Sequence, residues 1–135
     1  MVSKEAQTAI DRLFEGKRKR SANAQGKDPR AALIESIYNE RRFTDEHART
    51  RVLPDKLHLE QDWADTVPGE RLHYTGEDRI DGKVIMFVHG GAFNTGSALS
   101  RRDLTARLVL ASRIDSFSID YRRCPEYKYP AHVED

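Results

Sequence analysis

The spacing of apolar residues changes twice along the chain. Over Lys4–Glu15, Ala6, Ile10, Leu13 and Phe14 share one helical face, with Ser3 as a cap and Gly16 as a stop. Asp28-Pro29 joins a cap to a first-turn proline and opens a second predicted helix. Its apolar stripe is Ala32, Leu33, Ile37 and Tyr38, ending at Arg41-Arg42. Both stripes are narrow, so these helices should lie on another layer and not form a bundle alone. From Leu57 to Trp63 the period becomes two, with Leu57, Leu59 and Gln61 opposite His58, Glu60 and Asp62. Pro68-Gly69 reads as a turn, and Glu70–Thr75 alternates again with Leu72 and Tyr74 on one side. An antiparallel hairpin or meander is predicted. Val84-Ile85-Met86-Phe87-Val88 is continuously apolar and reads as a strand covered on both faces.

After that strand comes His89-Gly90-Gly91-Ala92-Phe93-Asn94-Thr95-Gly96-Ser97. Ser100-Arg101-Arg102-Asp103 resembles a capping box, and Leu104, Leu108 and Ala111 follow at helical spacing. Ser116–Tyr121 reads as another strand. Strand, helix and strand in this order make a βαβ unit with a right-handed crossover. Pro125 and Pro130 punctuate the remainder, and residues 130–135 read as a first helical turn.

Composition narrows the classes. The chain has 135 residues, 33% charged and 38% apolar, with a net charge of +1. That length is one domain at most and buries roughly two-thirds of its unfolded surface if a core closes. Near-neutral charge argues against nucleic acid or a membrane surface as an obligatory partner. No run approaches the roughly 18 apolar residues of a membrane span, and the N-terminus has no secretory h-region. The single cysteine, Cys124, excludes an intrachain disulfide and fits a reducing, cytoplasmic location. Lys17-Arg18-Lys19-Arg20 reads as solvated surface, with a nuclear signal or acidic-partner patch as the other reading. The character of the chain changes near Pro54, so residues 1–54 are expected to be a helical region and residues 55–135 a sheet-containing core.

Three chemistries fit the glycine loop. Backbone N–H groups at the end of a buried strand can hold the oxyanion of acyl transfer, where one donor contributes about 3 kcal/mol. Gly91-x-x-x-x-Gly96 has Walker A glycine spacing, but Ser97 stands where the lysine belongs. The glycines can also serve a tight connection only. His47, His58, His73 and His132 are scattered without metal spacing and read as surface or local packing. Ser97 and Ser100 lie in or beside the loop, outside any Gly-x-Ser-x-Gly elbow, and no such elbow occurs in these residues.

The series His89-Gly90-Gly91, Phe93, Gly96-Ser97, Asp120-Tyr121-Arg122, Pro125-Glu126, Pro130-Ala131 and Asp135 resembles the hormone-sensitive-lipase-like esterases of the α/β-hydrolase fold. The resemblance covers roughly residues 56–135. It implies an α/β fold: a partial α/β-hydrolase sheet with an antiparallel start, then a parallel βαβ unit, under N-terminal cap helices. It also implies a serine ester hydrolase in which Gly90, Gly91 and Ala92 hold the oxyanion. His89 would brace the loop, Phe93 would pack beside the acyl site, and Asp120, Arg122 and Glu126 would be supporting charges. Ala92, Arg123 and Cys124 depart from the family pattern. No member of the Ser–Asp–His triad is assigned here, and the chain is expected to stop before the nucleophile elbow. A small-molecule ester is the implied substrate of the complete enzyme. No cofactor and no metal are expected. Association with the missing C-terminal portion, or self-association, is the expected partner relation. The other readings are a truncated or split-gene binding module without catalysis, and a nucleotide-binding βαβ module.

Overall fold

The computed structural model describes residues 28–135, together with Lys4, Gln7, Thr8, Asp11, Glu15 and Gly26. Those first five are helical; the other residues of the predicted Lys4–Glu15 helix and the basic run at residues 17–20 lie outside the described residues. Two compact units are present, Met1–Tyr38 and Asn39–Asp135. Helix α1 is Pro29–Arg49. Asp28 caps it as predicted, its carboxylate accepting the Ala31 N–H at 3.0 Å. The helix runs past the expected end at Arg41-Arg42, because no glycine or proline intervenes before Pro54.

The sheet contains β1 (Leu57–Ala64), β2 (Val67–Tyr74), β3 (Val84–Val88) and β4 (Asp115–Ile119), in the order β1-β2-β4-β3. The β1/β2 and β2/β4 pairs are antiparallel and β3/β4 is parallel. Helix α2 (Ala98–Ser112) makes the crossover from β3 to β4, and α3 (Ala131–Glu134) is a short final turn. The α/β class, the antiparallel start and the parallel βαβ unit are all present.

Packing follows from strand alternation. Leu57, Leu72 and Tyr74 bury against Ala106 and Val109 of α2. Ser116 lies opposite Leu72 in the ladder and Ser118 opposite Glu70, so these small residues share the face on which α2 sits. Glu70 is buried there and receives two hydrogen bonds from Arg102 of α2, at 2.9 and 2.5 Å. A second cluster is formed by Val67, Phe117, Ile119 and Tyr121.

Three local expectations are corrected. Pro68 and Gly69 are not a turn; they lie inside β2, opposite Trp63 and Asp62. The reversal is at Asp65-Thr66, where Asp65 takes a left-handed φ of 56°. Gly69 is required for packing, since a Cβ there would overlap the Ser118 carbonyl and the Phe117 ring. The α2 cap is Ser97, not Ser100. Ser97 Oγ accepts the Ser100 N–H at 2.9 Å, and Ser100 Oγ accepts the Ser97 N–H at 2.9 Å, which is a reciprocal box. Finally, β3 is not covered on both faces. It is the edge strand, and Val84, Met86 and Val88 are 54%, 59% and 61% exposed on one side.

A charged hub ties the sheet together at the start of β4. Buried Asp115 accepts from the Tyr74 N–H at 3.0 Å, His73 Nδ1 at 2.7 Å and Arg79 at 2.7 Å. The other His73 nitrogen meets Glu60 at 2.9 Å, so both ring nitrogens donate to carboxylates. The Glu60 hydrogen bond, against partial burial, and then Asp115 raise the His73 pKa above the ordinary 6.5. A raised folded pKa gives stability that is complete below about pH 6.5 and is lost as pH rises through the folded value. Thermal unfolding between pH 6 and 9 should therefore show a decline in stability with pH in this window. His73→Gln should flatten that decline; an unchanged slope in the variant would remove His73 as its source.

Candidate functional site

The glycine loop begins where β3 ends and closes at the α2 cap, so strand, loop and helix form one continuous turn. Its backbone is left-handed over three consecutive residues: Gly91 at φ 137°, Ala92 at 51° and Phe93 at 58°. Gly96 follows at 83°. Glycine tolerates this freely, whereas Ala92 and Phe93 each cost roughly 1–2 kcal/mol. A Cβ on Gly91 would overlap the Thr95 carbonyl, and one on Gly96 would overlap the Gly90 carbonyl. On Gly90 it would meet nothing within 4 Å.

The carbonyls of this loop are largely occupied. Tyr121 OH donates to His89 O at 2.8 Å and His89 Nδ1 to Gly90 O at 3.1 Å. Gly91 O accepts the Asn94 and Thr95 N–H groups at 3.0 and 2.9 Å, and the Thr95 hydroxyl at 3.1 Å. Phe93 O accepts the Cys124 N–H at 2.8 Å, Asn94 O accepts Arg41 Nε at 2.7 Å, and Gly96 O accepts Arg123. The N–H groups of Gly90, Gly91, Ala92 and Phe93, by contrast, donate to no acceptor among the described residues. A loop with its acceptors tied back and its donors open is chemically suited to a negative or partly negative oxygen.

The remaining predicted residues are distributed around the loop and the segment after β4. His89 is buried, stacked on Tyr121 with ring centroids 4.3 Å apart. Its Nδ1–H is committed to a carbonyl, and its Nε2 is buried without a hydrogen-bond partner, 3.9 Å from Asp120. Desolvation lowers the His89 pKa and raises that of Asp120. The imidazole is thus enclosed between the Gly90 carbonyl and the Tyr121 ring. Asp120 sits just after β4 and accepts the Ala98 N–H at 2.8 Å, holding the start of α2 beside the loop. Phe93 is 52% exposed and stacks on His132 at 4.3 Å. Glu126 accepts from Arg41 at 2.6 Å. Arg122 faces a different element: its side chain and N–H bind Asp135 at 2.7 and 2.6 Å, and its guanidinium also reaches Ala131 O at 3.1 Å.

Several participants were not singled out from sequence. Arg41 and Asp45 lie one turn apart on α1, and Asp45 accepts from Ser97 Oγ at 2.6 Å. Their only advance signal is an i, i+4 charge pair, which ordinarily marks a solvated helix face. Arg123, at a position where the resembled family carries an apolar or small residue, reaches the Gly96 carbonyl. His132 is part of the aromatic group around Phe93 and Tyr129, with centroids 4.3 and 5.9 Å away.

Residues 85–135 match the family described as the alpha/beta hydrolase fold. Among curated proteins, an acetyl-hydrolase of Streptomyces hygroscopicus is 40% identical over 57 residues, covering 42% of this chain and 19% of that protein. The gibberellin receptor GID1B of Arabidopsis thaliana is 41% identical over 54 residues, covering 38% of this chain and 15% of the receptor. The solved structure of EstE7, a hormone-sensitive-lipase homologue from a metagenome library, superposes with a TM-score of 0.63 at 26% identity. That match covers 81% of this chain and 39% of the EstE7 chain. The architecture is thus that of the α/β hydrolases. Within them, the chain is similar to esterases of the hormone-sensitive-lipase type. It spans about a fifth of the length of the first curated relative and about two fifths of the solved structure.

The loop geometry separates its two leading glycines. Gly91→Ala should open the 89–97 segment, seen as faster exchange of its hydrogen-bonded amides at Asn94, Thr95 and Ser97, because both its φ and the Thr95 carbonyl forbid a Cβ. Gly90→Ala should leave exchange in the segment within about twofold of the parent, because its Cβ position is open. Equal responses would contradict this reading.

Proposed function

We propose that this chain supplies the oxyanion-binding loop of a carboxylic ester hydrolase of the serine esterase and lipase type. What supports the reading is the division of the loop into held carbonyls and open amides over Gly90, Gly91, Ala92 and Phe93. When a nucleophile adds to an ester carbonyl, the carbonyl oxygen gains full negative charge. Donors already aimed at that position stabilise the transition state more than the ester itself. Gly90 and Gly91 are the proposed donors, with the Ala92 N–H beside them in its left-handed setting. His89 braces the turn from within, Phe93 borders the acyl group, and Asp120, Arg122 and Glu126 hold the flanking segments.

The serine, its histidine and the orienting acid would come from residues other than these 135, since no Gly-x-Ser-x-Gly is present. In this proposal residues 1–54 form a cap region and residues 55–135 part of the hydrolase core. The edge of β3, with Val84, Met86 and Val88 exposed, would receive the remaining sheet or a second copy. No described helix is long and apolar enough to cross a membrane. A cytoplasmic site of action with a small-molecule ester as substrate completes the proposal.

A second reading is favoured by the likeness to a gibberellin receptor. The same amides would then hold a ligand carboxylate or carbonyl without turning it over.

The 135-residue chain alone should not hydrolyse a short-chain p-nitrophenyl ester above background. Hydrolysis that scales with pure protein and stops on serine modification would overturn the assignment of the nucleophile to other residues. In a chain that joins these residues to a nucleophile elbow and turns over esters, Gly91→Val should lower kcat by a hundredfold or more, roughly 3 kcal/mol. An unchanged kcat in a folded variant would assign the loop to structure alone.

A further inference from the structure

We propose that Arg41 is a positioning residue for the glycine loop: from α1 it joins the Asn94 carbonyl to the Cys124 carbonyl and so fixes the direction of the loop's open amides. Its side chain is only 12% exposed. Nε donates to Asn94 O at 2.7 Å, one terminal nitrogen donates to Cys124 O, and the other donates to Glu126 Oε1 at 2.6 Å. Two of these acceptors are backbone carbonyls in irregular segments that no strand or helix ladder holds. The guanidinium is planar, with donors in a fixed fork, so it sets the separation and orientation of both carbonyls together.

The two segments also meet directly. Cys124 N–H donates to Phe93 O at 2.8 Å, one residue before the carbonyl that Arg41 takes. Asp45, one helical turn after Arg41, takes the Ser97 hydroxyl at 2.6 Å and so holds the far end of the loop from the same helix face. Asn94 lies between these anchors and the left-handed run at Gly91–Phe93. Turning the Asn94 peptide would release that run, whose conformation is costly for Ala92 and Phe93. The catalytic consequence of Arg41 rests on the oxyanion reading; its control of loop geometry does not.

The test is amide hydrogen exchange on the full chain, comparing the parent with Arg41→Ala and Arg41→Lys. In Arg41→Ala, exchange of the hydrogen-bonded loop amides, those of Asn94, Thr95 and Ser97, should rise by tenfold or more. The β2 and β4 amides should stay within twofold of the parent. Arg41→Lys should fall between the two, since one ammonium cannot reproduce the fork. If Arg41→Ala does not fold, Arg41→Lys is read by the same criterion of loop against sheet. Unchanged loop exchange would overturn the proposal. So would equal acceleration in loop and sheet, which marks a residue that only stabilises the fold. Esterase turnover plays no part in these readings, so a failure here is separate from a failure of the oxyanion assignment.

Discussion

Strand β4 is hydrogen-bonded along both edges, to β2 and to β3, and all five of its residues are buried. Strands β2 and β3 and helix α2 all pack directly on that strand. Ser116 and Ser118 face the helix side, where small side chains let α2 approach the sheet closely. Phe117 and Ile119 fill the other face. Asp115 at one end gathers donors from β2 and the following turn, and Asp120, just past the other end, holds the first N–H of α2. The glycine loop is spliced between β3 and α2, so its position is inherited from a strand that cannot shift without breaking both ladders.

The loop itself is held by a different balance. A left-handed run through Ala92 and Phe93 is unfavourable by a few kcal/mol in total. It persists because the carbonyls around it are bound by donors from distinct parts of the chain: Tyr121, Cys124, Arg41 and Arg123. These donors fix the peptides in a direction that the local sequence does not choose for itself. Strained backbone over-determined by its surroundings is the pattern expected where geometry is needed for chemistry.

Much of the fold was legible because it rests on local periodicity. The alternation around Leu57, Leu72 and Tyr74 located the first two strands. Leu104 and Leu108 marked α2 as a helix but are exposed, and the face it buries is that of Ala98, Thr105, Ala106 and Val109. The misplacements have physical causes. Pro68-Gly69 ordinarily signals a turn, but Gly69 answers to the Phe117 ring, which lies on a distant strand. A run of five apolar residues cannot reveal how many of its faces are covered, and β3 has one face open. Ser100 and Ser97 are both plausible caps, and the choice is made by the reciprocal bonds between them and by Asp45. The loop was legible as a glycine-rich connection between a strand and a helix, but the residues that hold it were not. Arg41 finds partners 53 and 85 residues away, and His73 finds Asp115 42 residues away. No window along the chain contains such pairs.

The Asp115 hub and the glycine loop sit at opposite ends of β4, about 16 Å apart for five residues of extended strand. The hub is partly open to water through Arg79, Glu60 and His73, whereas Arg41, which holds the loop, is largely enclosed. Dissolved salt screens exposed charges over about 8 Å at physiological ionic strength and enclosed ones much less. Ionic strength therefore acts on the two ends unequally. Added electrolyte loosens the anchoring of the sheet before it reaches the loop, so the salt tolerance of the fold and that of the site are separate properties of this chain.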